Sequence, residues 1–96
     1  MKKYLLLFHD QWDPKPEIMD AWQAWFARVG DRFIDSGTPL GTGVEVTRAG
    51  THELTPTEVA ATGYSIISAA SREDAEALLA DCPYASSVRV YESMAM

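Results

Sequence analysis

Residues Tyr4 to His9 read Tyr-Leu-Leu-Leu-Phe-His, an apolar run that ends in an ionisable pair, His9-Asp10. The run is far shorter than the roughly 20 apolar residues of a membrane span, and its length suits a β-strand. Successive strand side chains point to opposite faces. Tyr4, Leu6 and Phe8 therefore share one face, and Leu5, Leu7 and His9 share the other. Both faces are apolar, so both require cover. In 96 residues the helices can cover one of them. A second copy of the chain is expected on the other, which makes a homodimer the expected assembly.

A chain of this length is expected to form one domain over residues 1–96, with a core of limited size. The 47% hydrophobic content, with three Trp, three Phe and four Tyr, argues against disorder. Eight basic against fourteen acidic residues give a net charge of −6. Such a surface repels phosphate backbones, so neither nucleic acid nor an anionic membrane is an expected partner. Met1-Lys2-Lys3 followed by Tyr4 to Phe8 faintly imitates a secretory leader, but His9, Asp10 and Asp13 interrupt it early. A lone cysteine, Cys82, cannot form an internal disulfide and fits a reducing compartment. A cytoplasmic location is the expectation.

Gln11 to Lys15 reads as a loop carrying Trp12, Asp13 and Pro14. Pro16 can open a helix at its first position. Ile18, Trp22, Trp25, Phe26, Val29 and Phe33 then recur at spacings of three and four. That pattern predicts one long amphipathic helix ending near Ser36, with Gly37 as its left-handed cap. Gly30, inside this span, hints at close backbone approach. Thr42 to Arg48 alternates like a half-exposed strand, Ala49-Gly50 turns the chain, and Thr51 to Leu54 returns as a short ribbon. Thr55 to Thr62 is expected to be a loop or a single turn. Tyr64 to Ala69 forms another strand. Ser71 with Asp74 resembles a capping box, opening a second helix with Ala75, Leu78, Leu79 and Cys82 on its buried stripe. Pro83 stops that helix, and Val88 to Met94 is the last strand.

The order strand, helix, strand, strand, helix, strand predicts an α+β, ferredoxin-like βαββαβ fold: a four-stranded antiparallel sheet with both helices on one face. In that topology the first strand ends where the third and fourth begin and where the second helix finishes. His9, Asp10 and Trp12 then share an end of the sheet with Tyr64, Cys82, Tyr84 and Ser86. Titratable and aromatic groups converging on a cleft point to a binding site. His9 and Asp10 are the candidate catalytic pair, since an imidazole beside an apolar cavity can act as a general base. Trp12, Tyr64, Cys82 and Tyr84 are the candidate ligand contacts. Against this, a strand-end histidine also serves to cap a loop, and Cys82 at a helix C-terminus reads more readily as a buried structural thiol. Asp31 and Asp35 fall late in the long helix, at the far end, and are excluded.

His52 falls in a turn beside Glu53. Two histidines and one cysteine have no metal-ligand spacing, so no metal is expected. Gly37, Gly41 and Gly43 lead into a strand rather than a helix, so no phosphate loop forms. No nucleophile elbow is present. No cofactor is expected.

Met1 to Leu7, Asp35 to Gly41 (Asp-Ser-Gly-Thr-Pro-Leu-Gly), Thr62 to Ile67 (Thr-Gly-Tyr-Ser-Ile-Ile), Cys82-Pro83-Tyr84 and Val88 to Glu92 follow one another at characteristic distances. In this order the chain resembles the YCII-related family along nearly its whole length. The resemblance implies a dimeric α+β barrel, with sheets paired face to face. For some members it also implies acid–base chemistry on small cyclic compounds, using a His early in the long helix and an Asp before the Pro-Tyr pair. Here the His position falls at Trp25 or Phe26, and the Asp position holds Cys82, with Asp81 one residue earlier. His9 and Asp10 are the substitutes the first strand offers. The expected function is therefore binding of a small cyclic or aromatic molecule, extended by lyase- or isomerase-type acid–base chemistry. The alternatives are a non-catalytic ligand-sensing or protein-interaction module and, by fold analogy alone, a cofactor-free monooxygenase.

Overall fold

The computed structural model describes residues 1–10, 15–54 and 60–95. Strand β1 (Lys2–His9) leads to helix α1 (Pro16–Val29), then to a short 3₁₀ turn, Gly30–Arg32. Strands β2 (Phe33–Pro39), β3 (Gly43–Thr47), β4 (Gly50–Leu54) and β5 (Ala61–Ala69) follow. Helix α2 (Arg72–Leu78) and strand β6 (Ser87–Glu92) complete the described elements. β2, β5, β1 and β6, in that order, make one four-stranded antiparallel sheet. An α+β architecture with this sheet and two helices is compatible with a ferredoxin-like arrangement.

The two-faced reading of β1 holds in the burial pattern. Tyr4, Leu6 and Phe8 are buried, while Leu5 and Leu7 are half-buried. The buried set joins Ile67 and Ala69 of β5, Trp25 and Val29 of α1, and Ala75 and Leu78 of α2 in one core. Both helices therefore pack on the same face of the sheet. Aromatic rings fill the centre of that layer. Trp25 lies 5.4 Å from both Phe26 and Phe33, and Phe8 meets Trp22 edge-on at 5.3 Å. Edge-to-face pairs at these distances add to what burial alone provides.

Several details of the sequence reading are corrected, among them α2, which ends at Leu78 and does not reach Cys82 or Pro83. The long helix does not reach Ser36. It ends at Val29, because Gly30 adopts φ 57 and its N–H bonds back to the Phe26 carbonyl. A Cβ on Gly30 would meet nothing within 4 Å, so its role is this left-handed cap rather than close approach. Phe33, four residues after Val29, stays in phase with the helix stripe. It reaches the same core from a strand instead, paired with Ile67. Consequently the strand beside β5 is Phe33–Pro39, not Thr42–Arg48. The latter region forms β3, which among the described residues pairs with β4 in a separate two-stranded ribbon. Smaller shifts in the same direction start β5 at Ala61 and end β6 at Glu92.

Gly37 is where close approach is found. It has φ 81, and a Cβ there would stand 1.6 Å from the Tyr64 carbonyl oxygen. The β2–β5 register shifts around it, between Asp35 and Thr38. Asp35 Oδ1 accepts the Gly37 N–H at 2.8 Å, and Ser65 Oγ donates to the Ser36 carbonyl at 2.7 Å. These side chains satisfy backbone groups that the bulge takes out of the ladder.

The α2 cap matches its sequence signature with one change. Ser71 Oγ accepts the Asp74 N–H at 3.1 Å, while Asp74 Oδ2 accepts from Ala70 N–H at 2.9 Å. The shorter Asp side chain thus serves Ala70, one residue before the cap, and also pairs with Arg32. Those two donors, the Ala70 N–H first, hold the Asp74 carboxyl below its ordinary range. At the other end of α2, Trp25 Nε1 and Arg28 Nη2 both donate to the Leu78 carbonyl, at 2.8 and 2.6 Å. Arg28 also forks onto the Asp81 carboxylate.

Candidate functional site

A cleft opens at the end of the sheet where β1 finishes and β5 and β6 begin. The register places His9 opposite Ala61 of β5 and Ser87 of β6, which makes this convergence a property of strand pairing. Its apolar wall is Phe8 together with Met19, Trp22 and Phe26 from α1. His9, Asp10 and Tyr84 close one side, and the Ser36–Pro39 bulge and Thr62–Ser65 close the other. The interior volume is about 160 Å³. A cavity of about 150 Å³ holds benzene in a well-studied case, so one ring with a short substituent matches the available space.

His9 is only 2% exposed, unlike Leu5 and Leu7 before it on the strand. The reason is local. The β1–β5 register slips between Phe8 and His9, which breaks the alternation, and the next residue, Asp10, takes φ 73. Aspartate tolerates this left-handed conformation better than most residues. Thr62 Oγ1 fixes the bend by donating to the Asp10 carbonyl at 2.6 Å, and lies 3.4 Å from the Phe8 carbonyl. A bulge at a strand end that turns a titratable residue into a cleft is a recurrent device at functional sites.

Of the residues singled out in the sequence, His9, Asp10, Tyr64 and Tyr84 line this cleft. Trp12 lies outside the described residues. Cys82 is buried in the core rather than on the cleft lining, and burial pushes its thiol up to about 12. It is a packing residue. Tyr64 pairs with Leu7 and Thr38 on the sheet, and its hydroxyl is turned to Asp35. That hydroxyl donates to Asp35 Oδ2 at 2.9 Å, and the carboxylate that accepts the proton holds the phenol above its ordinary range. A helix reaching Ser36 would put Asp35 at the far end of the sheet, away from the cleft. In β2 it instead stands beside the cleft wall, bonded to Tyr64 and Gly37. The signal that could have found it is Asp35-Ser36-Gly37 itself, a side-chain-capped turn ending on a glycine. Trp22 and Phe26 read as core stripe from the sequence. Both pack against the core and line the cleft.

Among the described residues, no cluster of three His, Cys, Asp or Glu side chains could hold a metal ion. No helix of the described residues is long and apolar enough to cross a membrane. No protein-family model matches the chain, and no curated protein matches it.

Proposed function

We propose that this cleft binds one small cyclic or aromatic molecule and that His9 exchanges a proton with it, in lyase- or isomerase-type chemistry. The convergence of a buried imidazole and the aromatic wall of Phe8, Trp22, Phe26 and Tyr84 on a space of ring size carries the proposal. The YCII-like order of sequence segments supports the same function, with the acid–base group moved to β1. A small pocket that is mostly apolar with few polar groups is the usual form of such sites.

Binding without turnover is the second reading. The Tyr64 hydroxyl is engaged by Asp35, which takes one of the titratable groups on the described cleft lining out of proton transfer. A thermal-shift and turnover panel of catechols, lactones and cyclic ketones tests both. A ligand at a hundred times its dissociation constant adds about 2.7 kcal/mol, which at this length raises the melting midpoint by roughly 10 °C or more. Turnover lost in His9→Gln with binding retained supports the catalytic reading, and binding with no turnover in wild type supports the second. The absence of any shift across the panel would overturn both.

A homodimer belongs to the same proposal, with the ferredoxin-like sheets stacked as a dimeric barrel. Leu5, Leu7 and Ile66 are half-buried on the sheet face away from the helices, and Tyr91 on that face is 49% exposed. Arg89 on the β6 edge and Asp35 on the β2 edge flank this surface. A twofold axis parallel to the strands sets each against its opposite in the other copy. Sedimentation showing a monomer at micromolar concentration, or a dimer indifferent to Leu7→Glu, would contradict this assembly.

A further inference from the structure

Charges on the sheet face away from the helices are unevenly satisfied. Arg28, Arg32 and Arg72 each pair with a carboxylate of their own chain, and Lys2 pairs with Glu92. Among the described residues Arg89 has no such carboxylate and Asp35 has no such cation. Both are exposed and lie on the Leu5–Leu7 face. Arg89 stands opposite Leu7 on edge strand β6, and Asp35 opposite Ile66 on edge strand β2. Asp35 also supports the cleft wall. Its Oδ1 accepts the Gly37 N–H at 2.8 Å and its Oδ2 accepts the Tyr64 hydroxyl at 2.9 Å, and Gly37 and Tyr64 both line the cleft. An ionised carboxylate offers about four acceptor sites, so these two bonds leave room for a guanidinium.

A twofold axis parallel to the strands, with the sheets face to face, sets β2 of one copy over β6 of the other at the same height. Arg89 and Asp35 are then offset along the strands by the two residues from Leu5 to Leu7. That is about 7 Å, a span that an arginine side chain crosses. We infer that Arg89 of the partner subunit pairs with Asp35 and so completes the cleft wall of the neighbouring copy. The inference rests on the proposed dimer and cleft, and adds to them a residue that each copy lends to the other's site. Arg89 is a positioning residue: it acts by holding the carboxylate that pins the Gly37 turn. Lys3 shares this face but stands on β1, over the partner's β5 rather than its β2.

Sedimentation of the full chain with Arg89→Ala, Asp35→Asn and the double variant tests the pairing. Asparagine keeps an oxygen for the Gly37 N–H and loses the charge. Each single variant should loosen the dimer by about tenfold or more, and the double variant should be within about threefold of either. Lys3→Ala combined with Asp35→Asn should show no such coupling. Hydrogen exchange at the Gly37 amide, followed by NMR at concentrations where each protein is dimeric, reads the cleft wall without any ligand. It should run about threefold or more faster in Arg89→Ala than in wild type, with Arg89→Lys recovering most of the protection. Independent effects of Arg89→Ala and Asp35→Asn on the dimer, or equal Gly37 exchange in dimeric wild type and dimeric Arg89→Ala, would overturn the inter-subunit pair and leave the dimer and the cleft standing. A wild-type chain that is monomeric at micromolar concentration would overturn the dimer and the inference with it.

Discussion

Replacing Gly37 with alanine should be the most damaging single-methyl change in the chain. The added Cβ stands 1.6 Å from the Tyr64 carbonyl oxygen, 2.6 Å from its carbon and 3.1 Å from Ser65 Cα. All three obstacles are backbone, so no side chain can swing away. Relief requires β2 to separate from β5 where Asp35, Gly37 and Thr38 form the cleft wall. The left-handed φ of 81 adds about 1–2 kcal/mol for any residue with a Cβ, and overpacking adds about 1–3 kcal/mol. A total near 3 kcal/mol corresponds to a midpoint drop of roughly 12–24 °C at this chain length. Gly30→Ala supplies the internal control. It shares the positive φ, at 57, but meets nothing within 4 Å, so it should lose less, roughly 4–16 °C. Gly41→Ala has open space and no left-handed φ, and should lie within about 0.5 kcal/mol of wild type or slightly above it. Thermal melts of the three variants by circular dichroism give the ranking directly. Gly37→Ala melting no lower than Gly30→Ala would refute the close packing of β2 on β5.

Other consequences follow from the bonds around the two helices and from the buried thiol. Trp25→Phe and Arg28→Ala each leave the Leu78 carbonyl one donor, so the double variant should be less stable than their sum by at least about 0.5 kcal/mol. A urea-denaturation cycle showing strict additivity would refute the shared-carbonyl account. Asp74 has its carboxyl lowered in the folded state, so its contribution is complete above the unfolded carboxylate value and fades as pH falls through the lower folded one. Asp74→Ala should therefore be less stable than wild type near neutral pH, with the gap in urea midpoint closing toward pH 3; a gap independent of pH would contradict this. Cys82, pushed up to about 12 by burial, should react with iodoacetamide on the order of a thousandfold more slowly in native protein than in denaturant. Native reactivity within tenfold of the denatured rate would place the thiol outside the core.

Local chemistry made several of these features readable without coordinates. Both faces of β1 are apolar, and alternation alone separates Tyr4, Leu6 and Phe8 from Leu5 and Leu7. Ser71 and Asp74 announce the start of α2. The meeting of His9 with the starts of β5 and β6 follows from strand order. What escaped was β2, and the cause is a coincidence of phase. Phe33 lies four residues after Val29, so a strand residue bound for the core looks like one more turn of helix. Gly30 then appeared to be an interior glycine when it was the terminus. Losing β2 hid Asp35, because its bonds to Tyr64 and Gly37 exist only across the β2–β5 pair. Burial of His9 was likewise invisible, since strict alternation sends it to the Leu5 face and only the register slip after Phe8 moves it. Such slips depend on long-range pairing and leave little trace in local sequence.

The junction at Leu78 also orders events in time. Helix α2 spans seven residues, too few to hold together in water unaided. The two side chains that grip its final carbonyl, Trp25 and Arg28, are synthesised about fifty residues earlier. While the chain emerges, α1 can form and pair its rings with Phe8 and Phe33 before α2 exists. Until Leu78 arrives, Trp25 and Arg28 have neither their carbonyl nor, in Arg28's case, Asp81. The second helix is thus an element that forms by docking on a surface already prepared for it, and chains truncated before Leu78 would expose an indole and a guanidinium that the finished protein keeps occupied.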